Sequence, residues 1–135
     1  MPAEYRQNTA RGIVLQANAI ATGVGTVGDA TGLHGALTVE LQNLAGTGTV
    51  IGKPEGSYDG VTWYEIGYDT LGNANPSSNV VAGNASLTRA VGNLTVLGPG
   101  SGLIQLLDYY PQVRFNVTTA NTGCSLNAWF HGLPI

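Results

Sequence analysis

One tight turn limits what this chain can fold into. Ser57-Tyr58-Asp59-Gly60 separates two runs of strand-forming residues. Asp-Gly supplies the positive φ of such a turn at little steric cost. The residues that follow, Val61, Trp63 and Tyr64, are β-branched or aromatic and favour a pleated, extended backbone. The same signature recurs along the chain. Leu37, Val39 and Leu41 alternate with Thr38, Glu40 and Gln42, the pattern of an antiparallel strand with one face buried. Val113, Phe115 and Val117 alternate with Arg114 and Asn116, and Cys124, Leu126, Ala128 and Phe130 share one face of the last run. Residues 103–107 are apolar enough for a core strand, and further short strands are expected over 49–56, 61–66, 79–82, 85–90 and 93–97. Pro54 should end, bulge or edge its strand, because it has no N–H for a ladder. Turn-rich breaks fall at 45–48, 98–102 and 121–123, and the loop over 67–78 is longer than a hairpin needs. No segment has convincing helical periodicity. The expected fold is all-β, an antiparallel β-sandwich of about eight short strands.

A chain of 135 residues fits one domain with a real core. Residues 1–35 read differently from the rest. Glycines at 23, 25, 28, 32 and 35 would each cost a helix about 1 kcal/mol, and only 13–17 resembles a strand. An extended Gly/Ala-rich N-terminal arm over 1–35 is expected ahead of a sandwich domain over 36–135. The arm's partner is either the sandwich edge or a neighbouring molecule.

Charged residues make up 10% of the chain, against about 25% in an average domain. A surface of Asn, Thr, Ser and Gly needs little charge desolvation on contact, which favours packing against other subunits. Net charge is −3, and Arg6, Arg11, Lys53, Arg89 and Arg114 are scattered. Nucleic-acid binding needs clustered cations that release phosphate counterions, so no nucleic-acid partner is expected. The single cysteine, Cys124, excludes an intrachain disulfide and a Cys-rich zinc site, and is expected to be a small buried hydrophobe. No apolar signal segment follows Met1 and no run reaches membrane-spanning length, so no membrane partner is expected.

His34 and His131 match no nucleophile motif and are expected to be surface or interface polar groups. Glu55, Asp59 and Glu65 cluster near the turn, but Asp59 is accounted for by capping turn amides and Glu65 by a solvent-facing strand position. Asp59 and Asp69 do not form a calcium loop. No catalytic residue, metal or cofactor is expected. Tyr58, Trp63, Tyr64 and Tyr68 are close in sequence and form a candidate sugar-stacking face. The competing reading makes Trp63 the core tryptophan of a sandwich, with Tyr64 pointing outward alone. Tyr109 and Tyr110 before Pro111 read as a corner whose phenols bond to backbone.

Residues 56–63, Gly-Ser-Tyr-Asp-Gly-Val-Thr-Trp, resemble a G-S-x-D-G-x-x-W signature of small β-sandwich proteins of tailed bacteriophages. Residues 111–117 are similar to their P-x-[VI]-R-x-[NQ]-V strand, and the likeness spans roughly 36–132. The resemblance implies a virion structural protein made in the host cytoplasm: a capsid decoration or cement protein, or a head-fibre, tail or adhesin module. In the decoration reading the partners are the major capsid protein and the chain itself, as a homo-oligomer with a trimer favoured. The arm would then carry the interface through Tyr5, Arg6, Arg11, Ile13, Val14 and Leu15.

Overall fold

A computed structural model describes residues 12–44, 48–70, 80–82 and 90–134. Strands in chain order are β1 (Ile13–Ala19), β2 (Gly28–Asp29), β3 (Leu33–Asn43), β4 (Thr49–Ser57), β5 (Tyr64–Glu65) and β6 (Tyr68–Asp69). They continue with β7 (Val80–Ala82), β8 (Leu94–Leu97), β9 (Gly100–Leu106), β10 (Gln112–Ala120) and β11 (Leu126–Pro134). One sheet has the order β1-β11-β3-β9-β6; the other has β2-β10-β4-β8-β7, with β5 beside β4. All strand pairings between these elements are antiparallel. The expected sandwich is the observed architecture. It has more strands than expected because the N-terminal segment supplies two and because β5 and β6 are two-residue pieces.

Alternation builds the core from both sheets. Val39 lies opposite Phe130 and Ile104, and all three are buried. Phe115 and Val117 of β10 lie opposite Pro54 and Gly52 of β4, whose lack of a side chain at 52 leaves room for the Phe115 ring. Leu126, Ala128, Phe130 and Cys124 are buried as the alternation requires. Pro54 corrects a sequence expectation, because it neither ends its strand nor lies at an edge. Its carbonyl accepts from the Ile66 N–H, at the point where β4 exchanges β8 for β5 as neighbour. In a strand the N–H and C=O of one residue face the same side, so the missing donor falls in the gap between two partners.

The N-terminal segment differs most from expectation. The proposed boundary at 35/36 falls inside β3, and residues 13–30 complete the sandwich along one of its open sides. β1 pairs with β11 at the edge of one sheet, while β2 pairs with β10 at the edge of the other. Leu15 and Ala30 are fully buried in the core. From β1, Gln16 Nε2 donates to the Phe115 carbonyl of β10 at 2.6 Å and to the Gly23 carbonyl at 3.2 Å, tying the sheets together. Thr26 N–H reaches the Leu15 carbonyl at 2.9 Å. Gly25 makes this crossing possible: its φ is +65°, and a Cβ there would overlap the Leu15 carbonyl and the Gln16 amide. Of the two partners considered for this segment, residues 13–30 take the sandwich edge. Tyr5, Arg6 and Arg11 lie outside the described residues, as do 71–79 of the long loop and 83–89 of an expected strand.

Candidate functional site

The turn Ser57-Tyr58-Asp59-Gly60 forms as its chemistry requires. Ser57 Oγ accepts from the Asp59 and Gly60 N–H groups at 3.2 and 2.8 Å. Asp59 Oδ1 accepts from the Val61 and Thr62 N–H groups, both at 2.9 Å, and from Ser57 Oγ at 3.1 Å. Those donors hold the Asp59 carboxyl below its ordinary value, the Thr62 and Val61 amides having the largest effect. A group whose folded pKa is lowered stabilises the fold above its unfolded value and loses that contribution as pH falls through the folded value. An NMR titration should therefore find Asp59 titrating below 3.8, and Asp59→Asn should flatten the loss of stability in that acid window. An Asp59 midpoint at or above 3.8 would refute this account of the turn.

After the turn, register decides which aromatics meet. Tyr64 lies opposite Gly56 and Glu65 opposite Glu55, and the next inward residue, Ile66, is fully buried. Tyr64 therefore faces the core side at the end of the sandwich, and Trp63 the outside. This reverses the expectation of a core tryptophan. The largest fully buried side chains are instead Tyr68, Phe115 and Phe130. Trp63 is half-buried, with the Arg114 guanidinium 4.0 Å from its ring centroid. Arg114 Nε donates to buried Glu55 at 2.8 Å, and Lys53 Nζ lies 3.7 Å from Glu55 and 3.0 Å from Glu65. Glu65 holds the Lys53 ammonium above its ordinary value, chiefly through that hydrogen bond. Outside the second sheet, Glu55 and Glu65 thus hold structural ion pairs, while Asp59 caps the turn.

Tyr68 also leaves the predicted ligand face. It is fully buried, its hydroxyl donates to the Gly92 carbonyl at 2.8 Å, and burial pushes its phenol up to about 12. Of the four candidate aromatics, Tyr58 and Tyr64 remain together, joined by Tyr110. The Tyr110 ring centroid is 5.0 Å from that of Tyr58 and 6.1 Å from that of Tyr64, the latter pair nearly parallel at 18°. Tyr110 packs against Gly56, where any Cβ would overlap the base of its ring. Tyr109 turns the other way and donates to the Ala30 carbonyl at 3.3 Å, the backbone bond expected of the corner. Sequence reasoning missed Tyr110 as a member of the cluster. Gly56, opposite Tyr64, is the signal that points to it in retrospect.

The result is a tyrosine-rich pole at one end of the sandwich. Tyr58 is 70% exposed, Val61 82%, Tyr64 50% and Tyr109 52%, so this end carries four of the large apolar side chains that the fold leaves exposed. β1 runs antiparallel to β11, with Ile13 opposite Phe130 and Ala19 opposite Leu126, so the chain enters β1 from the Pro134 end. Pro134 lies opposite Leu33, and Leu33 bonds back to Ala30, beside the pole. Of the expected arm anchors, Leu15 is spent in the chain's own core, Ile13 packs against that core, and Val14 is exposed outside the first sheet. His34 is exposed, and His131 Nε2 is 3.0 Å from Glu40 Oε1 outside the same sheet. Among the described residues no three His, Cys, Asp or Glu side chains converge to hold a metal, and no helix is long and apolar enough to cross a membrane.

The architecture defines an antiparallel β-sandwich with an aromatic pole. Comparison of the chain with protein-family models, with curated proteins and with solved structures finds no match in any of the three.

Proposed function

We propose that the chain is a virion structural protein of a tailed bacteriophage, a non-enzymatic decoration or cement protein on the outside of the major capsid protein shell. The observation that supports this reading most directly is the tyrosine-rich pole, which gathers Tyr58, Val61, Tyr64 and Tyr109 on a charge-poor domain. Tyrosine suits interfaces because it brings large contact area with few rotamers to lose. The chain enters β1 from the same end. A shell filled with DNA fails at the joints between capsomers. A small domain that bridges neighbouring subunits adds contact area there, and self-association as a trimer multiplies modest contacts into firm attachment.

The test is co-sedimentation with capsids stripped of the protein, followed by cryo-electron microscopy of refilled particles. Wild-type protein should occupy icosahedral positions between capsid subunits. Tyr58→Ala combined with Tyr64→Ala should weaken attachment by about 10–100-fold, as hot-spot residues do, in a protein that still melts cooperatively. Full occupancy by the double variant would remove the pole from the docking surface.

A second reading, a glycan-binding module of a tail or fibre, draws on the same exposed phenol faces of Tyr58 and Tyr64. It predicts density on the tail or fibres with a bare shell. Its original ligand face does not assemble, because Tyr68 is in the core and Arg114 covers one face of Trp63.

A further inference from the structure

Asp59-Gly60 is the chain's single Asp-Gly pair, and Asn-Gly does not occur. A polypeptide isomerises most readily at such pairs, because a glycine without Cβ leaves its nitrogen open to the preceding side-chain carboxyl. The fold requires both residues. Asp59 Oδ1 caps the Val61 and Thr62 amides at 2.9 Å. Gly60 has a φ of +78°, and a Cβ there would meet Gln112 Oε1 at 2.9 Å. Neither can be exchanged for a less labile residue without damage to the turn, so its durability has to come from its surroundings.

The reaction is a ring closure. The Gly60 nitrogen attacks Cγ of the protonated Asp59 carboxyl and the N–Cγ bond forms. The nitrogen's proton and the carboxyl hydroxyl leave as water, giving a five-membered succinimide. Water then opens the ring. Opening at Cγ restores aspartate; opening at the backbone carbonyl leaves isoaspartate, with the chain running through Cγ and one extra methylene in the backbone.

The structure opposes closure at both reacting groups. The imide nitrogen carries no hydrogen, so closure must break the 2.8 Å bond that the Gly60 N–H donates to Ser57 Oγ. Asp59 Oδ1 accepts from Val61, Thr62 and the Ser57 hydroxyl, and these donors favour the ionised carboxyl, which is the poor electrophile. Ser57 thus restrains nucleophile and electrophile together. It is the last residue of β4 and fully buried, so the sheet holds its hydroxyl in place.

We propose that Asp59-Gly60 is a modification site, the bond at which this chain isomerises, and that Ser57 is the positioning residue that slows the reaction in the folded protein. The inference goes beyond the capsid reading and needs no partner. Its consequence falls on the pole. An extra methylene beside Tyr58 would release the caps on Val61 and Thr62 and displace the ring that packs on Tyr110.

The test ages the full chain at neutral pH, folded and unfolded in urea, and locates isoaspartate by peptide mapping with electron-driven fragmentation. Isoaspartate should appear at residue 59 ahead of Asp29, Asp69 and Asp108. It should form about tenfold more slowly in the folded chain than in urea, because closure waits for local opening of the turn. Ser57→Ala should lose about tenfold of that protection, the factor expected for a hydrogen bond removed. In the wild type the Gly60 amide should be protected from hydrogen exchange, a readout that needs no variant to fold. Equal rates in the folded chain and in urea, or faster isomerisation at another aspartate, would overturn the site. A Ser57→Ala chain that melts cooperatively yet ages like the wild type, or an unprotected Gly60 amide, would overturn the role of Ser57.

Discussion

Deleting residues 2–28 should leave a chain with no cooperative thermal unfolding transition, whereas deleting 2–11 should leave the fold intact. The longer deletion removes β1 and Gly28 of β2, unpairs the outer edge of β11, and takes Leu15 out of the core. It also removes Gln16, so the Phe115 carbonyl loses the amide that ties the sheets together. Truncating one buried leucine alone costs about 2–5 kcal/mol. Adding the lost strand pairing and the exposure of Leu126, Ala128 and Phe130 brings the total to the order of a small domain's whole stability, about 5–15 kcal/mol. Leu15→Ala, monitored by urea denaturation, measures the leucine's share and should cost about 2–5 kcal/mol. Circular dichroism on the two deletions decides the matter: a sharp melt in the 2–28 deletion would mean that the first two strands are an appendage after all. The sequence by itself favoured that outcome, since the glycine-rich segment reads as an arm.

The second large effect is expected at Gly56. Gly56→Ala places a methyl group inside the Tyr110 ring, and the opposing strands on either side, at Val113 and Tyr64, leave the backbone little room to yield. Overpacking of this kind costs about 1–3 kcal/mol. Its functional consequence exceeds its cost in stability, because Tyr110 is the ring that Tyr58 and Tyr64 pack against. The variant should stay folded, with a lowered melting temperature, and should lose shell attachment by at least as much as the Tyr58→Ala, Tyr64→Ala pair. A crystal structure with Tyr110 unmoved and attachment unchanged would refute the role assigned to Gly56.

These two positions also show where reading the chain succeeds and where it stops. Period-two alternation placed Val39, Phe115, Leu126 and Phe130 inward correctly, because one buried face per strand is a local property. Asp59 was legible as a turn cap for the same reason, its partners lying within three residues. Trp63 was misplaced because its face depends on register with β4, and the turn between them consumes an odd stretch that composition does not reveal. Tyr68 was counted with its neighbours in sequence, yet pairing with β9 opposite Leu106 carries it into the core.

Alternating polarity, turn residues and scarce charge were enough by themselves to determine an all-β sandwich with a weakly charged surface, since each acts over a few residues and needs no partner. The tertiary structure alone decided that residues 13–30 close the sandwich and that Tyr58 and Tyr64 meet on Tyr110 at one end. The reason is physical: edge pairing and pole contacts join residues tens of positions apart, and their geometry follows from strand register, which is set only when both sheets pack.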